Sequence, residues 1–597
     1  MRTPHFLAAA MTFAALGIAA MAPSNALAKV TRIEITAKQP DGSFRAGEYV
    51  RWEGRIHGEL SPSAEAIPDL DKPARNANGM VEYAARIILL MPADPARGNG
   101  ALLVDVPNRG QAYARALYNS PRGLPFQAGN LDQGTGFLED HGFSVAEVYW
   151  ELGQGADLPS FTDPDGKKRF VEGVGFAIVR DAADFLAHAA ADSAGTPNPL
   201  AGNISRVLAS GKSQTGRFLK TFLRDGFNRV EGRRVFDGMH VFVSGAGLLP
   251  IMRSGTGPRS SADGIPTFDN PEFPGVNDGP LTIGEIIAKV QARGEIPPKM
   301  LMINSTVDYF SIRASLGRTG RNGTADQPLP PNVRMYDIAG GAHATVARAA
   351  SCKLAPGRLD WTPVSRATLL RLDQWVGANL EPPPTRLMPL QPADEDPTVL
   401  RAPKNLPDAV IQVPRRDADG NPLGGVRLPD LAVPLGVLGA QNEPLGSCAL
   451  VGAYLPFAAT REAREAAHDK RPSLAERYKN QDDYVNRIRV AAREAEAEGF
   501  LLPEDAAIIV NSAAAAPIFE RAAPNADEQD HDFHRHQRRG RQLQRGADDA
   551  VQARGDAWLL RGCCDGVVAG GHLSAPRRRR GAPASQRRGR CRANRRS

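Results

Sequence analysis

Cysteine is scarce in this 597-residue chain: there are five, and only Cys352 and Cys448 lie before residue 520. The body therefore holds at most one internal disulfide, which an oxidising compartment would permit. The sequence leaves a Cys352–Cys448 bridge and two separate buried thiols equally open. Long apolar runs are missing too. After residue 28 no stretch is long and apolar enough to span a bilayer. No third glycine follows Gly173-Val174-Gly175, so the dinucleotide-binding fingerprint is absent and nothing points to a nucleotide cofactor. No internal repeat is evident. Lysine, finally, disappears after Lys479.

That last absence isolates the C-terminal tail. Residues 521–597 hold 18 arginines and 8 acidic residues, a balance of +10 in a chain of net charge +7, so the body is at −3. The basic character belongs to the tail alone. Runs such as Arg577-Arg578-Arg579-Arg580 have the charge to meet nucleic acid or acidic lipid. Arg, Ala and Gly without Lys is also what a shifted frame of GC-rich DNA encodes. We read residues 516–597 as a disordered tail whose composition a frameshift would explain, and expect no nucleic-acid partner. His531, His534 and His536 lie there without a cysteine or carboxylate frame, so no metal site is expected.

The other end has the form of an export signal. Arg2 and His5 precede an apolar run from Phe6 to Ala22, and Ala26-Leu27-Ala28 is a small-x-small cleavage site. Residues 1–28 are expected to be a signal peptide, and the mature protein to be periplasmic or secreted.

Residues 29–515 form the expected folded domain. Val30–Ala37, Tyr49–Leu60 and Ala84–Met91 read as strands. Short buried strands follow at Ala101–Val106, Phe143–Tyr149, Arg206–Ala209, Met239–Val243, Met300–Ile303 and Val333–Ile338. Helical stretches such as Gly175–His188 and Arg217–Asp225 separate several of them. An antiparallel front end leading into a mostly parallel α/β sheet is the expected fold class. Residues 244–298 are rich in Gly, Pro, Asp and Ser, with one helical piece near Ile283–Ala292, and are expected to form a lid. Residues 380–450 are Pro-rich and predicted to wrap the core. Residues 470–515 are predicted to be C-terminal helices, chiefly over Ser473–Ala513.

One turn carries chemistry. Val207-Leu208-Ala209-Ser210-Gly211-Lys212-Ser213-Gln214-Thr215-Gly216-Arg217 is a strand, a tight turn and a helix start. A serine on such a turn projects its hydroxyl into open space. Gly211 and Gly216 remove Cβ atoms where strand and helix crowd. The helix amino end then favours developing negative charge, with the Gln214 N–H as one oxyanion donor. A serine nucleophile needs a base and an orienting carboxylate. The strand ending at Ile303 leads to Asp308, the sole carboxylate of its exit loop. The strand ending at Ile338 leads through Gly340-Gly341 to His343. Both sit at carboxyl ends of parallel strands, where sites collect. The exit Pro107-Asn108-Arg109-Gly110 is the expected second oxyanion donor through Arg109 or Gly110 N–H groups; the Arg109 side chain binding an acidic substrate group is the alternative.

The elbow resembles the nucleophile elbow of α/β-hydrolases with one residue added. Together with Asn108-Arg109-Gly110, Gly341-Ala342-His343 and Gly452-Ala453-Tyr454-Leu455-Pro456-Phe457-Ala458, it resembles the bacterial alpha/beta hydrolase domain-containing proteins over residues 30–515. That resemblance implies an α/β-hydrolase fold and a serine nucleophile and leaves the substrate open; the long lid-like insertions are read from composition, and the expected triad chemistry needs no metal or organic cofactor. Thr306 and Val307 stand where the family is often more acidic. The elbow is also similar to that of glucuronoyl esterases, but those carry an arginine where Gln214 stands. The expected activity is hydrolysis of a small-molecule carboxylic ester by Ser213, His343 and Asp308 through an acyl-enzyme. Amidase, peptidase or acyltransferase chemistry on the same fold, and an inactive hydrolase-like binding protein, are the rivals.

Overall fold

The short apolar runs become the strands of one sheet. A computed structural model describes residues 28–121, 133–249, 282–346, 349–403, 406–445 and 447–519. The signal-like segment, residues 250–281 of the lid-like insertion and the arginine-rich tail lie outside the described residues. The strands are β1 (Ala28–Phe44), β2 (Gly47–Leu60), β3 (Val81–Pro92), β4 (Ala101–Asp105) and β5 (Ser144–Val148). They continue with β6 (Arg206–Lys212), β7 (Gly238–Phe242), β8 (Lys299–Ser305) and β9 (Val333–Ile338). Their order is β1-β2-β3-β5-β4-β6-β7-β8-β9, with the two-residue strand Ala156–Asp157 beside β3. The first three strands and the β3–β5 pair are antiparallel; β5 through β9 run parallel. This is the mostly parallel sheet with an antiparallel front end that the strand pattern predicts.

The parallel strands read as short, mostly apolar runs because both faces are covered. Successive side chains alternate between two cores. Leu102, Val104, Val207, Ala209, Met239, Val241, Met300 and Met302 pack on the side of helices α1 (Val174–His188), α2 (Gln214–Arg224) and α3 (Ile283–Ala292). Leu103, Leu208, Phe242, Leu301 and Ile303 pack on the other side with Val364, Leu369, Leu372 and Trp375 of α4 (Thr362–Ala378). Each fully buried Leu, Ile or Phe contributes about 1.5–3 kcal/mol of transfer free energy. The aromatic seam Trp150–Phe218–Phe176, with Phe176 stacked on Phe218 at 4.2 Å, fixes α2 against α1 and so fixes the base of the site.

Helix α4 has no counterpart in the sequence reading. Thr362, Ser365, Arg366 and Thr368 are buried in it alongside the apolar residues, which blurs the apolar stripe. The C-terminal region, read as helices over 470–515, divides into the turn Leu474–Arg477 and helices α5 (Gln481–Ala497) and α6 (Pro503–Ala515). Asn480 starts α5 by accepting a hydrogen bond from the Asp483 N–H at 2.9 Å. Gly499 at φ 84° follows its end, and Pro503 opens α6.

Strand β9 would be a free edge. Instead, the Asp337 N–H donates to Arg386 O and the Ala339 N–H to Val426 O, at 2.9 and 3.1 Å, and the N–H groups of Arg386 and Val426 donate back. The Pro-rich segment thereby covers that edge. At the opposite edge, β1 carries three register shifts and Pro40, features that blunt an exposed strand.

Candidate active site

Ser213 stands between β6 and α2 at φ 57°, ψ −111°. A non-glycine residue there stores about 1–3 kcal/mol, held by its surroundings. The Ser213 N–H donates to Phe242 O at 2.9 Å, and Lys212 N–H to Thr215 Oγ1 at 3.0 Å. A Cβ added at Gly211 would meet Thr215 O at 2.6 Å, and one at Gly216 would meet Ser244 Cβ at 2.8 Å. The two glycines thus permit the close crossing of strand and helix that presents the hydroxyl.

The residues singled out after β8 and β9 converge on it. Asp308 is fully buried; its Oδ2 accepts from the Ser305 N–H at 2.6 Å and its Oδ1 lies 2.7 Å from His343 Nδ1. A carboxylate only accepts, so Nδ1 carries the proton. His343 Nε2 is then the acceptor for Ser213 Oγ–H, at 2.9 Å. Burial holds the imidazole below its usual pKa; Asp308 opposes this, while Lys212 and Arg217 add to it. The ring is therefore neutral at neutral pH and able to take a proton.

Threonine 306 sets the two loops against each other. Its hydroxyl donates to Ile338 O at 3.2 Å and accepts from the Gly340 N–H at 2.8 Å. The departure from an acidic loop at this position thus has a structural use. Trp361 Nε1 donates to Ala342 O at 3.0 Å, and the His343 N–H to Leu450 O at 3.0 Å. Cys352 and Cys448 form a disulfide, which closes the pairing the sequence left open and ties residues 349–357 to the segment that carries Leu450.

The Asn108-Arg109-Gly110 turn sits beside the elbow. Asn108 Nδ2 donates to Lys212 O at 2.8 Å, and Asn108 and Gln111 exchange backbone hydrogen bonds at 2.8 and 3.1 Å. Arg109 and Gly110 both adopt positive φ, 53° and 76°, which turns their peptide groups sharply past the strand end. Trp150 Nε1, donating to Pro107 O at 2.9 Å, fixes the same turn from below. The Gln214 N–H belongs to the first turn of α2, where N–H groups have no intrahelical acceptor. The Gln214 side chain is engaged elsewhere: its Nε2 donates to Glu151 Oε1 at 3.0 Å.

The sequence reading gave no role to Glu151, Thr306 or the Arg217 side chain, all beside the site. Their separation in the chain left no local signal, except that Arg217 falls one helical turn after Ser213. Among the described residues no cluster of His, Cys, Asp and Glu has a metal-holding arrangement.

A family model described as alpha/beta hydrolase domain matches residues 143–511. No curated protein matches the chain. Among solved structures, a glucuronoyl esterase from Solibacter usitatus is 15% identical, with 52% of this chain and 83% of that one covered at a TM-score of 0.25. A putative acetyl xylan esterase from Bacteroides fragilis is 13% identical, with 50% and 69% covered at 0.24. The rice cell wall degrading esterase LipA from Xanthomonas oryzae is 14% identical, with 36% and 50% covered at 0.20. The family match takes in more than half of the chain and agrees with the sheet order, and this chain belongs to the alpha/beta hydrolase domain family.

Proposed function

We propose that this protein is an exported serine hydrolase that cleaves carboxylic esters through an acyl-enzyme. The observation that carries the reading is the relay Ser213 Oγ–His343 Nε2 at 2.9 Å and His343 Nδ1–Asp308 Oδ1 at 2.7 Å, drawn from the exits of three parallel strands. Ser213 Oγ attacks the acyl carbon as His343 takes its proton. Asp308 holds the ring and stabilises the imidazolium. The oxyanion forms against the Gln214 N–H and the Arg109–Gly110 turn. His343 returns the proton to the departing alcohol. Water, deprotonated by the same histidine, then attacks the ester formed on Ser213 and releases the acid.

Export rests on the signal-like residues 1–28 and agrees with the Cys352–Cys448 bridge, since disulfides persist in oxidising compartments. Strand β1 pairs with β2 from its first residues, Ala28 with Leu60 and Lys29 with Glu59. Cleavage after Ala28 leaves all but its first residue.

The test is Ser213→Ala. Hydrolysis of 4-nitrophenyl butyrate should fall by about 10⁴-fold or more, and a fluorophosphonate probe should label the parent protein and not the variant. Labelling that survives the substitution overturns the assignment. A parent protein that folds yet neither hydrolyses the ester nor takes the probe would instead be a binding protein on a hydrolase scaffold. Equal turnover of ester and matched anilide would move the reading to an amidase.

A further inference from the structure

Among the described residues several buried arginines are paired with acids, and Arg217, beside Ser213, is not. Arg180 meets Glu65 and Asp181, Arg318 meets Asp337 and Asp326, and Arg366 meets Asp505. Arg217 is only 6% exposed, and among the described residues its Nη1 has no hydrogen-bond partner. The charged groups that act on it add to the imbalance. Arg109, exposed on the oxyanion turn, lowers the pKa of Arg217, and Arg217 in turn lowers that of the buried Lys220. Lys220 spends a hydrogen bond on Gly245 O at 2.8 Å. Burial brings Arg217 down to about 10, which leaves it cationic at neutral pH. A buried guanidinium without an anion is costly unless something outside the protein completes it.

Its position says what that is. The Arg217 N–H donates to Ser213 O at 3.0 Å, so Arg217 sits one helical turn after the nucleophile on the same face of α2. Side chains on a helix lean toward its amino end, here toward Ser213. His343 senses the Arg217 charge as well as Lys212, which places the guanidinium in electrostatic range of the reacting groups. Two more buried atoms beside the elbow lack partners: Gln214 Oε1 and Glu151 Oε2. Both are acceptors.

We propose that Arg217 binds a carboxylate of the substrate, so that the preferred substrates are esters bearing a free carboxylate close to the scissile bond. Gln214 Oε1 and Glu151 Oε2 are placed to accept from hydroxyl groups of the same substrate. A guanidinium–carboxylate pair is directional and charge-assisted, and it places the acyl carbon against Ser213. The bound anion also offsets the cationic field that disfavours the His343 imidazolium. This inference rests on the serine-hydrolase reading and adds the substrate class.

The experiment compares kcat/KM for mono-4-nitrophenyl glutarate, with its charge on the acyl side, 4-(butyryloxy)benzoate, with its charge on the alcohol side, and neutral esters of matched size. At least one acidic ester should be favoured by roughly 10- to 100-fold. Which one identifies the half that carries the charge. In Arg217→Gln the acidic-to-neutral ratio should collapse toward one, and Arg217→Lys should restore part of it. A ratio near one in the parent protein, or a ratio unchanged in Arg217→Gln, overturns the proposal. Should the variants fail to fold, protection of the parent protein decides: glutarate should slow fluorophosphonate labelling of Ser213 at concentrations where glutaramide does not, and equal protection refutes it. Labelled Ser213 with no acidic preference defeats this inference alone. An unlabelled, folded parent protein defeats the hydrolase reading beneath it.

Discussion

Replacing Arg318 by Met should destabilise the protein by about 3–5 kcal/mol at neutral pH. Arg318 donates through Nη1 to Asp337 Oδ2 at 2.8 Å and to Tyr309 Oη at 2.9 Å, and through Nη2 to Met388 O at 3.0 Å and Asp326 Oδ2 at 2.7 Å. Its two carboxylate partners differ in what their loss costs. The Asp326 side chain is 46% exposed and regains water, so its share is within about 1 kcal/mol. The Asp337 side chain is 0% exposed and keeps only neutral donors: Tyr309 Oη at 2.8 Å, the Met388 N–H at 2.9 Å and Asn304 Nδ2 at 3.2 Å. Nearly all of the cost therefore comes from Asp337. Burial already raises its pKa, with Arg318 the main opposing influence. Its native pKa thus lies above its unfolded one, and this group costs stability as pH rises between the two values. Removing Arg318 extends that window upward, so the variant should lose more at pH 8 than at pH 5. Asp337 faces Asn304 across β9 and β8, the strands that deliver His343 and Asp308, so activity should fall with stability. Urea midpoints at the two pH values measure the effect, and adding Asp337→Asn should recover part of it. A loss below about 1 kcal/mol, or an equal loss at both pH values, would refute the argument.

Three further outcomes follow from the site and its supports. The acid limb of kcat/KM should lie below the ordinary histidine pKa of about 6.5, because burial and the Lys212 and Arg217 charges hold His343 down; a limb above that value contradicts the assigned base. Cys448→Ser should cost about 2–5 kcal/mol and lower kcat through the loop that carries His343, measured by denaturation and steady-state kinetics of the same samples; unchanged values would show that the bridge supports neither. A chain ending after Phe519 should keep the melting temperature and ester hydrolysis of the full chain, and loss of either would give the arginine-rich tail a role in the fold.

Periodicity and composition were sufficient wherever a segment's fate was settled by its own residues. The six parallel strands are legible because each is a short, mostly apolar run whose faces are covered. The elbow is legible because only glycine fits at 211 and 216, and the serine between them has one geometry. The order of Ser213, Asp308 and His343 along the chain matches the order of the strands that carry them. Helix α4 was illegible because its buried polar residues interrupt the apolar stripe. Asn480, Gly499 and Pro503 are the boundary signals that divide the helical region over 473–513.

What the chain order could not supply were properties of pairs. Thr306 has no role in the sequence reading; it gains one when β8 and β9 bring Ile338 and Gly340 to its hydroxyl. Cys352 and Cys448 are 96 residues apart, and only the folded loops bring their Cα atoms to 5.5 Å. Arg217 looks like any helix arginine in sequence. Whether a buried charge is satisfied depends on what lies across from it in space, and the tertiary structure places Arg109 and Lys220 in its range and, among the described residues, no acid to pair with it. Local chain chemistry determined the strands, the nucleophile turn and the reaction class they suggest. Burial and long-range packing decided how the charges around that nucleophile balance, because desolvation and Coulomb energy depend on distances that no stretch of sequence contains.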